Sequence, residues 1–500
     1  MEPFILRVVA SLISMTVIVC SHSNPSHGAD KVDPSAPNSS AVIARGPLKI
    51  HPSNPRYFTD GTGKAIYLTG SHNDANFMDA GTTDPPPIFD FSAHLTWLKR
   101  NNHNFIRLWR WTEAPKFKFD PKGQFYYVEP HPWMRTGPGT ARDGKLRFDL
   151  SQFNQSYFDR LRNRAIEAGK HGIYVSIMLF EGGAALYAED FWAYHPFHRP
   201  NNINDVEADQ NGDGKGLEFY TLQDPNITAR QKSYVRKVIE TVNGLDNVLY
   251  EISNETNDDS TDWQYMLIRY IKEYESGLSK QHPVGMTTQH GYSITDNSNL
   301  LNSPADWISP TSNKCDQFAS DPPVLKAGKV SLLDSDHITP GGSYVDVGWV
   351  WKSFTRGHNP IFLDLIDRSH PRPCCEAHPC ADCVRVNMGY ARKYANKIDL
   401  ADMTPHNESC SSRYCLANPG QEYLVYVPAP TGWRAWALWK SLFHSKVKVD
   451  LTPAPASIKI EWFNTATGET QTSEMMTNES MQVFRSPFTV DSVLHLAAIR

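Results

Sequence analysis

The chain has 500 residues, with 49 Lys and Arg against 54 Asp and Glu, a formal charge of -5, and 40% hydrophobic residues. That length exceeds what one core usually serves and predicts a large domain with a smaller companion. The acidic balance, without a long basic run, excludes a protein that holds nucleic acid by neutralising phosphates. Aromatic residues are plentiful, 13 Trp, 21 Tyr and 23 Phe; most serve a core, and exposed faces suit sugar rings.

At the N-terminus Arg7 precedes VVASLISMTVIVC, residues 8–20, which is short for a bilayer span and is followed by polar SHSNPSHGAD. We read residues 1–23 as a secretory signal peptide, making the mature protein exported, secreted or periplasmic. No other segment is apolar enough for a membrane span. Residues 24–46 are Ser, Pro, Asn and Ala rich without periodicity and read as a disordered lead-in.

From residue 47 onward, short apolar runs alternate with segments of helical period. AIYLTGS (65–71), FIRLWRW (105–111), GIYVSIMLF (172–180), NVLYEISNE (247–255), PVGMTTQ (283–289), KVSLLDSDH (329–337) and NPIFLDL (359–365) read as strands. FSAHLTWLKRN (91–101), 157–172, 227–245, 263–276 and 345–357 read as helices. Strands alternating with helices mean parallel βαβ units, and seven in succession predict a (β/α)8 barrel over residues 47–412. After residue 412 the text becomes short alternating runs (EYLVYVP, KVKVDL, SIKIEWFN, MQVFRSP, SVLHLAA) broken by Pro, Gly, Asn and Thr. That pattern predicts a small antiparallel β-sandwich over 413–500.

Two stretches along the way could bind metal. DQNGDGKGLE (209–218) places Asp209, Asn211 and Asp213 at alternate positions before Gly214, as a calcium loop does, with Glu218 as a further ligand. Tyr220 stands where such a loop would need its bidentate glutamate, and Asn, Asp and Gly also simply make turns. PRPCCEAHPCADC brings Cys374, Cys375, Cys380 and Cys383 around His378; with Cys315, Cys410 and Cys415 there are seven cysteines after the signal. A zinc knuckle is chemically adequate, but export favours disulfides. No cofactor is required by the reading below.

In a barrel the loops after the strands form the working face. The predicted strands end in Ser71, His72, Asn73 and Asp74; Arg107 and Arg110; Glu181; Asn254 and Glu255; Gln289, His290 and Tyr292; Asp334, Asp336 and His337; and Asp364, with Asp367 beyond. Two aspartates and a histidine in LLDSDH could ligate a divalent ion, yet no HExxH-type partner accompanies them, which favours substrate contacts. Glu255 closes the fourth strand and Asp364 the penultimate run. Two carboxyl groups facing each other across a barrel mouth are what glycoside hydrolysis needs. In this reading Asn254 binds a sugar hydroxyl and Arg107 holds the second carboxylate ionised, with His72, Asn73, His290, Tyr292, Asp336 and His337 lining the substrate site.

The S-N-E ending of the fourth strand, NFIRLWRW and NPIFLDL resemble the clan A glycoside hydrolases, retaining (β/α)8 enzymes. More closely, YLTGSHNDANF, YCLANPGQEYLVYVP, IEWFNTATGET and SPFTVDSVLHL resemble secreted bacterial barrels with a C-terminal collagen-binding domain. The likeness covers roughly residues 48–497 and implies a carbohydrate substrate, with Glu255 as acid/base. That clan's nucleophile is a glutamate ending strand seven, where this sequence offers Asp364, one methylene shorter, as nucleophile or base. From another class, a non-catalytic glycan- or matrix-binding protein would use the same mouth. Oligomeric state is not legible.

Overall fold

The computed structural model describes residues 43–499 apart from 74, 110–112, 119–122, 290–296, 312–314, 326–327, 339–344, 365–380, 430–443, 454 and 478. The chain divides into residues 1–40 and 41–500, and the described residues belong to the second unit. The proposed signal peptide therefore lies outside them, as do Asp74, Arg110, His290, Tyr292, Asp367, Cys374, Cys375, His378 and Cys380.

Eight parallel strands build the barrel: β1 Gly70–His72, β2 Phe105–Leu108, β3 Tyr174–Glu181, β4 Val248–Asn254, β5 Val284–Thr287, β6 Trp307–Ser309, β7 Val330–Asp334 and β8 Asn359–Leu363. Neighbours pair in chain order from β2 to β8, and β8 pairs with β1, so the sheet is nearly closed. Every residue of β2, β3, β4 and β5 is buried, as expected of parallel strands covered on both faces.

The remaining seam, between β1 and β2, is closed by side chains, among them His103, whose Nδ1 accepts from Ser71 N (3.2 Å), and Asn104. Asn104 donates its backbone N–H to Thr69 O (2.9 Å) and its Nδ2 to Tyr67 O (3.0 Å), and its Oδ1 accepts from Thr69 N (3.0 Å). Gly70 permits this approach, because a Cβ there would lie 1.9 Å from Phe105 O. At the floor of the barrel the Trp307 indole fills the space Gly285 leaves empty, where a Cβ would come within 1.8 Å of the ring.

Helices cover the outside. They are α1 Phe91–Arg100, α2 Gln155–Lys170, α3 Pro225–Val242, α4 Thr261–Ser276, α5 Val347–Thr355 and α6 Ala381–Lys397. Local sequence starts them: Asp90, Asn154, Asp224 and Asp346 each accept a backbone N–H of the first turn, and Pro225 occupies an N-terminal position where its missing N–H costs nothing.

Two expectations need correction. DWIS contributes a strand, β6, that the sequence reading passes over because three residues flanked by Pro304 and Pro310 show no periodicity. NPIFL is consequently the eighth strand, not the penultimate one, and the strand that ends in LLD is the seventh. Beyond β2 the chain adds antiparallel strands, Lys116–Lys118, Phe125–Glu129, Trp133–Thr140 and Leu146–Phe153, that the reading also lacks.

The C-terminal region forms two antiparallel sheets, as expected. Strands β9 Cys415–Asn418, β10 Glu422–Val427, β11 Lys446–Asp450, β12 Ser457–Asn464, β13 Thr470–Met476, β14 Met481–Arg485 and β15 Ser492–Ala498 follow the alternating runs. Six strands pair in the order Thr404–Pro405, β9, β10, β15, β12, β13, while β11 pairs with β14. Val447, Val449 and Phe484 of the ribbon share a core with Val425, Trp462 and Leu494 of the larger sheet. The sheet's other side joins the barrel helices, with Phe463 packed 5.9 Å from Trp351 and 5.3 Å from Tyr394 between ring centroids. Cys410 and Cys415 are buried free thiols, so the expected disulfides do not include these two, while Cys383 is disulfide-bonded.

Candidate active site

Two charges written into apolar strands meet beneath the mouth. Arg107 on β2 and Glu251 on β4 are both buried, and the guanidinium grips the carboxylate with two bonds, Nε to Oε2 (2.9 Å) and Nη2 to Oε1 (2.5 Å). Nη2 also donates to Asn254 Oδ1 (2.7 Å) and Nη1 to Asp334 Oδ2 (3.0 Å). Such a planar donor fork suits two carboxylates and an amide at once. Burial alone would lower the Arg107 pKa, but Glu251 and Asp334 outweigh it and hold the group cationic.

Asp334, the last residue of β7, also receives His72 Nε2 at 2.9 Å. Burial, the largest influence on its carboxyl, would raise the pKa; His72 and Arg107 together reverse this and hold it below the usual carboxylate range. His72 in turn stacks on Trp109, with ring centroids 5.5 Å apart.

His337 donates from Nε2 to Asn254 Oδ1 (3.0 Å), and Ser309 Oγ at the end of β6 lies 2.6 Å from its Nδ1. Burial first, then the Arg107 charge, lowers its pKa to about 3, so the ring is neutral at pH 7. With its carbonyl oxygen held by Arg107 and His337, the Asn254 amide is fixed in orientation, and its Nδ2 lies 3.4 Å from Glu181 Oε1.

Above this layer sit Glu255 and Asp336. Glu255 follows β4 directly and adopts φ +46°, a left-handed conformation that is unfavourable for a side-chain-bearing residue. Strain of this kind collects at functional positions. Asp336 lies in the 3-10 turn Ser335–His337 after β7, tied down by its N–H to Asp334 Oδ1 (3.0 Å), and its Oδ2 is 3.9 Å from Arg107 Nη1. Donor atoms of Glu255, Asp336 and His337 all lie within 4.8 Å of one another. Among the described residues this is the one place where three histidine, cysteine or carboxylate atoms converge so closely. As a metal centre it would need a free ring nitrogen, and both nitrogens of His337 are engaged.

Asp364, just after β8, is buried and accepts two bonds from Arg385 of α6, Nε to Oδ2 and Nη2 to Oδ1, both 2.5 Å. Burial raises its pKa and Arg385 opposes the rise. Asn73 is buried, accepting from Ala75 N (2.8 Å) and donating to Asp364 O (3.5 Å). In the loop after β3, Asp209 Oδ2 accepts from Gly214 N, Asn211 Oδ1 from Asp213 N and Asp213 Oδ1 from Lys215 N, the bonds of a tight turn, and Asn211 Nδ2 donates to Glu218 Oε1. Glu251 and Ser309 join the site without having been singled out for it, and Asp334, read as a strand-end substrate contact, is held instead by Arg107 and His72. For Glu251 the available signal was a charge in the middle of a run buried on both faces.

A model of a domain of unknown function, DUF6298, matches residues 117–298. No curated protein matches the chain in sequence. Among solved structures, one described as a glycoside hydrolase is similar over 91% of this chain and 97% of its own, with TM-score 0.55 and 12% identity. A glycoside hydrolase family 5 protein from Bacteroides vulgatus ATCC 8482 is similar over 91% of this chain and 94% of its own, with TM-score 0.52 and 13% identity. At such identities the likeness establishes the fold these proteins share with this chain.

Proposed function

We propose that the protein is a glycoside hydrolase of the retaining type, in which Glu255 is the acid/base and Asp336 the nucleophile. The observation that carries this reading is the carboxyl oxygens of Glu255 and Asp336, at the ends of β4 and β7, lying within 4.8 Å of each other. Retaining enzymes hold their carboxyl pair about 5–5.5 Å apart, whereas inverting ones leave room for a water. Asp364, with both oxygens taken by Arg385, serves in this reading as a structural ion pair and not as the nucleophile.

In the first step an Asp336 oxygen attacks the anomeric carbon as the Glu255 proton passes to the glycosidic oxygen, and the bond to the leaving group breaks. The Glu255 carboxylate then takes a proton from water, whose oxygen attacks the same carbon and releases Asp336. Arg107 sets a positive charge beside Asp336, and the locked Asn254 amide presents its N–H groups toward a sugar hydroxyl. A carbohydrate substrate outside the cell fits the apolar N-terminal run, and the C-terminal sheets act as a buttress for α5 and α6.

The test is a panel of aryl glycosides and polysaccharides incubated with wild type, Glu255→Gln, Asp336→Asn and Asp364→Asn. Turnover lost in the first two and retained in the third is expected. Binding without turnover on every substrate would replace this reading with a glycan-binding protein.

A further inference from the structure

Glu181, the last residue of β3, takes no part in the proposed reaction, yet it faces the acid/base. It stands in register with Asn254 on the neighbouring strand. Its Oε1 accepts from Ala184 N (3.2 Å) and lies 3.4 Å from Asn254 Nδ2, while its Oε2 is buried with no hydrogen-bond partner. Gly183 makes room for it: a Cβ there would lie 2.9 Å from Glu181 Oε1 and 3.2 Å from Glu255 Oε2, so two carboxyl groups close over one missing side chain. The charged groups facing it are Glu113 from the segment after β2, whose Oε1 accepts from the Glu181 N–H at 3.1 Å, Glu255 after β4, and Arg107 on β2. Tyr220 donates to its backbone oxygen. Among the described residues no cation lies within ion-pair distance of the Glu181 carboxyl, and Arg107 is committed to Glu251 and Asp334.

A bare carboxylate in that position would be buried, with one oxygen accepting from a backbone N–H and the Asn254 amide and the other accepting from none, and placed beside two further acids. One of two carboxyl groups sharing such a site keeps its proton.

We propose that Glu181 is the proton-holding partner of Glu255, an uncharged carboxylic acid that binds its proton more tightly whenever Glu255 is ionised, so that the two titrate as a coupled pair. Burial first, then the Glu113 and Glu255 charges, push the Glu181 carboxyl well above the ordinary range. The catalytic consequence rests on the acid/base role proposed for Glu255. By staying neutral, Glu181 spares the mouth a standing negative charge that would oppose the one Glu255 acquires as it gives up its proton. It is thus a positioning residue, acting through Glu255.

The test needs no substrate, so its failure is separable from failure of the hydrolase reading. Infrared difference spectra of the whole protein, recorded across pH, report the carbonyl stretch of protonated carboxylic acids. A band present at pH 7 in wild type and missing in Glu181→Gln is expected. In Glu255→Gln the same band should titrate away at a pH lower by about one unit or more, because the neighbouring charge is gone. The second variant alters a half-buried residue and keeps the test decisive if Glu181→Gln does not fold. No protonated acid at pH 7, or a band whose titration is the same in wild type and Glu255→Gln, overturns the proposal.

Discussion

The Arg107 guanidinium engages Glu251, Asp334 and Asn254 together, so Arg107→Met would leave Glu251 buried without its cation and Asp334 with His72 alone. Breaking a buried ion pair on one side costs about 3–5 kcal/mol, and urea denaturation should register a loss of that order even though Met fills most of the volume. Gly183 offers the opposite kind of change. In Gly183→Ala the new methyl falls within 3.2 Å of oxygens from both Glu181 and Glu255; kcat/KM should drop by about 10²-fold or more while the melting temperature stays close to wild type. At this scale the sequence was partly legible. Asn254 and Glu255 announced themselves by ending an apolar run with an amide and an acid. Glu181 and Asp334 stood at strand ends as well, but what they do depends on neighbours from other strands, which no local text encodes.

Among the elements, the seam between β1 and β2 depends on the Asn104 side chain, whose oxygen and nitrogen replace ladder bonds to Thr69 and Tyr67. Asn104→Ala leaves those backbone groups buried without partners, and a loss of about 2–4 kcal/mol is expected in equilibrium unfolding. A loss under about 0.5 kcal/mol would mean that the strands close without it. Alternation of apolar runs and helical periods was enough to find seven of the eight barrel strands and their order. β6 escaped because its length is three residues and its main feature, Trp307, does its work by filling the hole over Gly285, a contact invisible without the fold. Missing that strand shifted the count by one, so NPIFLDL took the penultimate place that belongs to the strand ending at Asp334.

For the molecule as a whole, four buried histidines set the response to acid. Burial first, and nearby charges after it, lower the pKa of His94 to about 3, His103 to about 4, His337 to about 3 and His358 to about 4. The unfolded chain protonates them near pH 6.5. The folded state therefore binds fewer protons, and stability is complete above about pH 6.5 and falls as pH decreases toward 3–4, by up to about 1.4 kcal/mol per pH unit for each ring. Urea midpoints should already be clearly lower at pH 5 than at pH 7; equal midpoints would contradict neutral burial. The shared core of Trp351, Tyr394 and Phe463 predicts in addition that barrel and C-terminal sheets melt in one transition.

The catalytic pair is open to direct chemical identification. With whichever aryl glycoside turns over best, its 2-deoxy-2-fluoro counterpart should accumulate as a covalent intermediate, and peptide mass spectrometry should find the sugar on Asp336, with the first-formed product of the parent substrate keeping its anomeric configuration. A sugar carried by Asp364, or a product of inverted configuration, would contradict the account.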